Sequence, residues 1–296
     1  MNYFSWKKIT DRIYLITATY GTHHNVMQLV IGDREAAIID TGMGATGNLR
    51  KLAETFTSLP ITCFITHMHP DHAGASMLFD KRYLNPADEV HCWWALTKEK
   101  RSFDLEDVYE IDPGLQAQVA EEMTDNTDFT YLPMYPGDVF DLGGATLEVL
   151  GAEGHTEGSV VLFCKEENAL FGGDAVAPKV ILVGENKTRF TPLQSAYEQL
   201  LKIAGKIDEH TMIFCGHAPK PLPASLMDDL LAAVRNVLEG RASRELPEPK
   251  FQAGKDEAPN YKETAGSVSL IYSEASLCPE RTFHPPLHAE PEKGLR

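Results

Sequence analysis

Apolar positions along the first half of the chain come in short runs rather than long stripes. Residues 13–17, 26–31 and 36–39 are rich in β-branched side chains and are cut by Gly21, Gly32 and Asp33, so they read as the strands of a meander. Asp40-Thr41-Gly42 closes the third run, a helix follows over 49–56, and 61–65 reads as the next buried strand. That strand delivers the segment after it to its C-terminal end, where α/β sheets place their ligand sites. Strand signals return at 146–150, 159–163 and 169–171, each followed within a few residues by Gly, His or Asp, so the second half repeats the layout of the first. The spacing then turns helical. Leu193, Ala196, Tyr197, Leu200, Leu201 and Ala204 make one stripe, and Leu226, Leu230, Val234, Val237 and Leu238 make another, with Ser225 and Asp228 placed as a cap for the second. A last run, 268–272, reads as a strand returning to a sheet edge.

Two stretches depart from this rhythm. Residues 80–136 hold Trp93, Trp94, a charged run over 98–107 and a short stripe of Leu115, Val119 and Met123, which reads as an insertion over the site; packing of both tryptophans in the core is the competing reading. Residues 279–296 place Pro279, Pro285, Pro286 and Pro291 among charges and are expected to form a loosely held tail.

Composition narrows the class. An apolar fraction of 43% over 296 residues suits a packed globular core, and no run approaches the ~18 apolar residues that span a bilayer. The first ten residues, MNYFSWKKIT, lack the apolar core of a signal peptide, so a cytoplasmic location with no membrane partner is expected. The cysteines, at 63, 92, 164, 215 and 278, form no CxxC pair and read as free thiols. A net charge of −16 argues against nucleic acid as a partner, although bound divalent ions would reverse the field inside a pocket. A homodimer is open.

Candidate chemistry is concentrated in Thr66-His-Met-His-Pro-Asp-His-Ala-Gly-Ala75. A zinc-type set needs imidazoles and carboxylates gathered about 2 Å from the ion, and His67, His69, Asp71 and His72 supply four at a strand-loop-helix junction. Alternation sends His67 and His69 one way, while Asp71 and His72, entering a helix that starts near Ala73, address a second position. Pro70 and Gly74 suit a rigid turn and close helix packing. His155, Asp174 and His217 each follow an apolar strand and a glycine, which admits backbone to a crowded centre.

His67-x-His69-x-Asp71-His72 followed by His155, Asp174 and His217 resembles the metallo-β-lactamase superfamily, its glyoxalase II-like hydrolases included. The resemblance covers residues from about 10 to 272 and implies a single domain over 1–278, with 80–136 as insertion or lid. The implied fold is α/β (α+β), a four-layer αββα sandwich of two mixed sheets. It also implies one metal on His67, His69 and His155, a second on Asp71, His72 and His217, and Asp174 as a bridge. Asp40 would support the ligand loop from behind. Two Zn2+ are the implied cofactors, with iron or manganese as alternatives. The implied activity is hydrolysis of a small-molecule ester, thioester or lactone by a metal-bridging hydroxide, with Asp71 as the catalytic residue that orients the nucleophile and passes a proton.

Alternatives remain at this level. A small-molecule phosphodiesterase shares the ligand set, and an iron-dependent oxidoreductase of the persulfide dioxygenase kind is the reading from another class. Glutathione thioesters fit poorly, because Ala218-Pro-Lys-Pro follows His217 in place of the pattern glyoxalase II carries. Specificity is assigned to loops: His23 and His24 in the turn between the first strands, the apolar stretch 175–182 as an acyl pocket or a buried strand, and Lys179 and Arg189 as holders of an anionic tail; for the two histidines and for each of these two charges a solvated side chain is the competing reading.

Overall fold

A computed structural model describes residues 4–45, 48–89, 92–107, 130–183, 191–254 and 257–277, together with 114, 117, 119, 121, 123 and 126, with only the backbone of 92, 93, 106 and 107. Strands β1 (Phe4–Lys8), β2 (Ile13–Tyr20), β3 (His23–Ile31) and β4 (Ala36–Ile39) pair antiparallel in sequence order. β5 (Ile61–Phe64), β6 (Arg82–Leu84) and β7 (Leu132–Pro133) then add in parallel, which completes a seven-stranded mixed sheet. β8 (Val139–Asp141), β9 (Thr146–Gly151), β10 (Val160–Cys164) and β11 (Ala169–Phe171) form a second meander, and β13 (Met212–Phe214) joins β11 in parallel. β12 (Lys179–Leu182), β15 (Val268–Ser273) and β14 (Asn260–Ala265) make a smaller third sheet.

Period-two alternation explains why two sheets stack. On β2, Ile13 and Leu15 join a cluster with Val26, Val30, Ile39 and Phe64, and the same cluster takes Leu147, Val149, Leu162, Phe171 and Phe214 from the second sheet. The intervening Ile16, Met27, Leu29, Ile38 and Cys63 point to the opposite face, where they pack with Leu49, Ala53 and Leu105. β10 is buried along its whole length: Val160 and Leu162 face the inter-sheet core, and Val161 and Phe163 face a third cluster under the C-terminal helices. The layers therefore run helix, sheet, sheet, helix, as the resemblance implies.

Helices α1 (Leu49–Ala53), α2 (Pro70–Ala73), α3 (Pro86–Glu89), α4 (Cys92–Ala95) and α5 (Lys98–Asp107) precede the second sheet; α6 (Leu193–Ala204) and α7 (Ser225–Leu238) cover it. Several local expectations are corrected. α1 ends at Ala53 rather than at 56, its N-terminus capped by the Asn48 side chain. On α6, Ile203 is buried while Leu201 faces solvent. Ala224, not Ser225, occupies the N-cap of α7, and no side chain caps it. β15 lies between β12 and β14 instead of at a sheet edge, because a hairpin with β14 adds one more strand outside it. Cys63, Cys164 and Cys215 are buried free thiols; the Cys92 side chain and Cys278 lie outside the described residues, as does 279–296. Among the described residues no helix is long and apolar enough to cross a membrane.

Candidate metal centre

Parallel strands bring the candidate ligands to one rim. β4 ends at Ile39 and hands over Asp40; β5 ends at Phe64 and hands over His67 through His72; β11 ends at Phe171 and hands over Asp174; β13 ends at Phe214 and hands over His217. Backbone bonds sew the two rims together, from Val160 N to Thr66 O (2.9 Å) and from Val26 N to Gly216 O (2.8 Å). The close approach depends on glycine: a Cβ on Gly216 would lie 2.3 Å from the His72 ring. The ligand loop enters α2 at Pro70 rather than near Ala73, with His69 at the N-cap and proline at the first helical position.

All seven expected residues converge. His69 Nδ1 lies 3.0 Å from His67 Nε2 and 2.9 Å from His155 Nε2. His217 Nε2 lies 3.3 Å from Asp71 Oδ2, and His72 Nε2 lies 3.7 Å from that same oxygen. Asp174 addresses both groups, with Oδ1 3.3 Å from His72 Nε2 and Oδ2 3.2 Å from His217 Nε2 and 3.8 Å from His155 Nε2.

The outer nitrogens of four imidazoles are held by acceptors, which fixes the rings with their inner nitrogens turned toward the centre. His155 Nδ1 donates to Ile181 O (2.9 Å), and His217 Nδ1 donates to His24 O (2.7 Å). His72 Nδ1 donates to Asp40 Oδ2 (2.7 Å). Thr66 Oγ1 gives its proton to Asp40 Oδ2 (2.8 Å), so toward His67 Nδ1, 3.1 Å away, it accepts. Asp40 thus serves two histidines and the Thr66 amide (2.8 Å), at a backbone φ of 57° that a non-glycine residue adopts at a cost.

Electrostatics distinguish the two groups. Burial, reinforced by neighbouring imidazoles, holds His67 well below the usual histidine value and brings His155 down to about 4. Burial also disfavours charge on His72 and His217, yet Asp174 and Asp71 overcome it, lifting His72 well above the usual range and His217 to about 9. Burial would raise both carboxyls; His72 and His217 instead hold Asp71 below and Asp174 well below the ordinary value. In the metal-free chain, protons on imidazoles thus balance the carboxylates where a cation would stand.

These residues fit a divalent pair. Imidazole nitrogens ~2.0–2.1 Å from a tetrahedral ion are about 3.3 Å apart, a few tenths of an ångström wider than the first three stand here. His72 Nε2 and Asp174 Oδ1 are both buried and lack a hydrogen-bond partner, which inside a site calls for an ion between them. Three groups have donor atoms within 4.8 Å of one another: His67, His69 and His155; His67, His72 and Asp174; Asp71, His72 and His217.

Sequence reasoning missed the residues that clamp the loops. Asp88, on α3 and 1% exposed, accepts from Met68 N (2.9 Å), Thr156 Oγ1 (2.8 Å) and Gly158 N (2.6 Å). One carboxylate therefore fastens the His67–His69 loop to the His155 loop. Arg101, fully buried on α5, donates to the carbonyls of Met43, Gly74 and Leu96, and Asn126 Nδ2 donates to those of Gly74 and Leu96. The described part of 80–136 braces the ligand loop from behind, and none of its residues lines the pocket. The sequence around Asp88, Asn85-Pro-Ala-Asp-Glu89, holds no signal that sets this aspartate apart from a solvated one.

A cavity of about 600 Å3 opens over the centre, with His69, Asp71, His155, Asp174 and His217 at its floor. Ala177, Pro178, Ile181, Val183 and Ala218 form an apolar wall, so 175–182 is both partly a strand, β12, and pocket lining. His23 also lines the cavity, but it and His24 begin β3 and pair with Tyr20 and Thr19, so the expected loop is strand; the turn is confined to Gly21 and Thr22. Trp94 is half-exposed; the Trp93 side chain and Arg189 lie outside the described residues.

This ligand set on an αββα sandwich defines the class of a metal-dependent hydrolase fold, and the sequence itself carries the assignment. Residues 20–217 match the Metallo-beta-lactamase superfamily, to which the chain belongs. It is 26% identical over 231 residues to an acyl-coenzyme A thioesterase, MBLAC2, of Bos taurus, covering 70% of this chain and 78% of that protein. A hydroxyacylglutathione hydrolase of Hyphomonas neptunium is 26% identical over 156 residues, which is 51% of this chain and 46% of the relative. In three dimensions a metallo-beta-lactamase from Pontibacter korlensis is similar at a TM-score of 0.53 and 19% identity, over 79% of this chain and 99% of that one.

Proposed function

We propose that the chain is a thioester hydrolase working with two divalent metal ions, zinc by the character of the donors. The observation that carries this reading is the convergence of His67, His69 and His155 beside Asp71, His72 and His217, with Asp174 between them, beneath a pocket with an apolar wall. The first trio would hold one ion, the second trio the other, and Asp174 would touch both. Bound there, such ions supply Lewis acidity, which lowers the pKa of a water from 15.7 to about 7 and draws charge from a carbonyl oxygen.

The chain's own residues supply the rest. Asp40, through His72 and through Thr66 to His67, keeps both rings oriented with their inner nitrogens toward the centre. Asp71, at the cavity floor, orients the attacking water and receives a proton. Water oxygen adds to the acyl carbon, the carbon–sulfur bond breaks, and the electron pair leaves with sulfur, yielding a carboxylic acid and a thiol. A thiol has a pKa of about 8.5, so its departure needs no strong acid: the proton that Asp71 takes from the water passes to the departing sulfur, and the carboxyl is ionised again. The apolar wall takes the acyl chain.

Turnover of an acyl-CoA, an acyl-glutathione, a p-nitrophenyl ester and a phosphodiester, before and after chelation, tests this. The expected result is a thioester kcat/KM of about 10^4 M⁻¹s⁻¹ or more, abolished by chelator and restored by zinc. A phosphodiester preferred over every thioester, or chelator-resistant turnover, would contradict it.

A further inference from the structure

The charged groups at the cavity mouth run against the rest of the chain. Acidic residues outnumber basic ones by 43 to 27, yet outside the candidate ligands the charged side chains lining the cavity are Lys179 and Lys250. They come from distant parts of the chain, Lys179 from the start of β12 and Lys250 from the 3-10 turn Pro249–Phe251, which lies beyond the stretch matched to the family. One ring gathers both: Lys179 Nζ lies 4.6 Å and Lys250 Nζ 5.5 Å from the centroid of Phe251. Lys179 Nζ also meets Glu248 Oε1 at 3.0 Å, with 42% and 48% of the two side chains exposed. An ion pair so open to water is worth little, and its ammonium can turn to a stronger anion at small cost.

Position along β12 indicates which part of a substrate these ammoniums meet. Ile181 gives its carbonyl to His155 and its side chain to the pocket wall; Lys179, two residues back on the same face, stands roughly 7 Å along the strand from Ile181. The charge is therefore read well away from the scissile bond, across a linker. Two ammoniums gathered at one ring act as paired point charges, and together they match the charge of about −1.5 to −2 on a phosphate better than the single charge of a carboxylate.

We infer that Lys179 and Lys250, framed by Phe251, form a subsite for a phosphate group carried on the thiol half of the substrate, so that the thioester is one of a phosphorylated carrier thiol. The inference rests on the thioester hydrolase reading and deepens it. Coenzyme A and protein-bound phosphopantetheine are the two sources of that chemistry.

The test compares one acyl group on coenzyme A, on pantetheine without phosphate, on glutathione and on a phosphopantetheinylated carrier protein. The wild-type enzyme is to prefer acyl-CoA over acyl-pantetheine by about tenfold in kcat/KM, mainly through KM, with the preference shrinking as salt rises. In K179Q/K250Q that ratio is to fall toward one, with K250Q alone intermediate. A wild-type ratio of one, a ratio unchanged in the double variant, or a glutathione thioester preferred over acyl-CoA overturns the subsite. The carrier-protein arm assigns the source: preference for it over acyl-CoA selects the protein-bound group, and the reverse selects the free coenzyme. Should no thioester turn over, the hydrolase reading alone has failed, and calorimetric titration with coenzyme A decides the subsite. Binding weakened about tenfold in the double variant supports it; no binding, or equal binding, overturns it.

Discussion

Asp88 carries a buried charge that three donors share, two of them backbone amides in different loops. A carboxylate inside a protein is tolerated only when hydrogen bonds replace its lost water, and here the bonds that solvate it also set the spacing of His67, His69 and His155. Asp88→Asn keeps the shape and removes the charge, turning one acceptor oxygen into a donor that faces donors. The predicted result is a loss of about 2–3 kcal/mol in unfolding free energy and a 10–100-fold drop in affinity for the ion at the His67 trio, read by competition with a chromophoric chelator. Equal weakening at both positions would show that Asp88 supports the fold without holding that trio. Gly158 is glycine for the same reason, since a Cβ there would meet the Asp88 carboxyl at 2.6 Å. The candidate ligands were legible as a cluster in the sequence because they crowd into one segment and recur after glycines; Asp88 was not, because a buried carboxylate and a solvated one look alike until the fold says which donors reach it.

At the scale of elements, short helices that could not stand alone become rigid by being wedged. α2 has four residues, too few for a stable helix in water, and it is held by Arg101 and Asn126 reaching the Gly74 carbonyl behind it. Arg101→Met would leave the carbonyls of Met43, Gly74 and Leu96 buried without that donor. A loss of about 3 kcal/mol or more, measured as a shift of the urea midpoint, is predicted; a shift worth under about 0.5 kcal/mol would mean the brace is idle. This bracing was invisible in the sequence, where 98–107 reads as a solvated charge run, and a fully buried arginine contradicts that pattern only once its carbonyl partners are known. Strand interiors were the legible part, since short, wholly apolar runs bounded by polar residues or glycine mark 36–39 and 169–171 with correct ends. Ends set by pairing or capping shifted, as β3 did by starting at His23, opposite Tyr20, and α7 by starting with no side-chain cap.

On the scale of the whole molecule, two meanders with parallel additions put their functional rims side by side, and the inter-sheet core of Ile13, Val26, Phe64, Val149, Leu162 and Phe171 fixes their distance. The four-layer arrangement followed from the repeated strand-then-ligand layout together with the family resemblance. The third sheet did not, because β12 pairs with β15 far along the chain, Lys179 opposite Ser269, and that pairing is non-local. Through β12 that sheet supplies Ile181 to the apolar wall, the Ile181 carbonyl to His155 and the Lys179 ammonium to the cavity, so the part of the fold least visible in the sequence lines the pocket.

The central claim is a two-ion centre built from seven side chains, and metal content measures it most directly. Protein purified without chelator or added metal, analysed by elemental mass spectrometry, is predicted to hold about two zinc ions per chain, falling to about one in Asp174→Ala with the fold intact. A wild-type chain holding a single iron, or no metal after exposure to zinc, would contradict it.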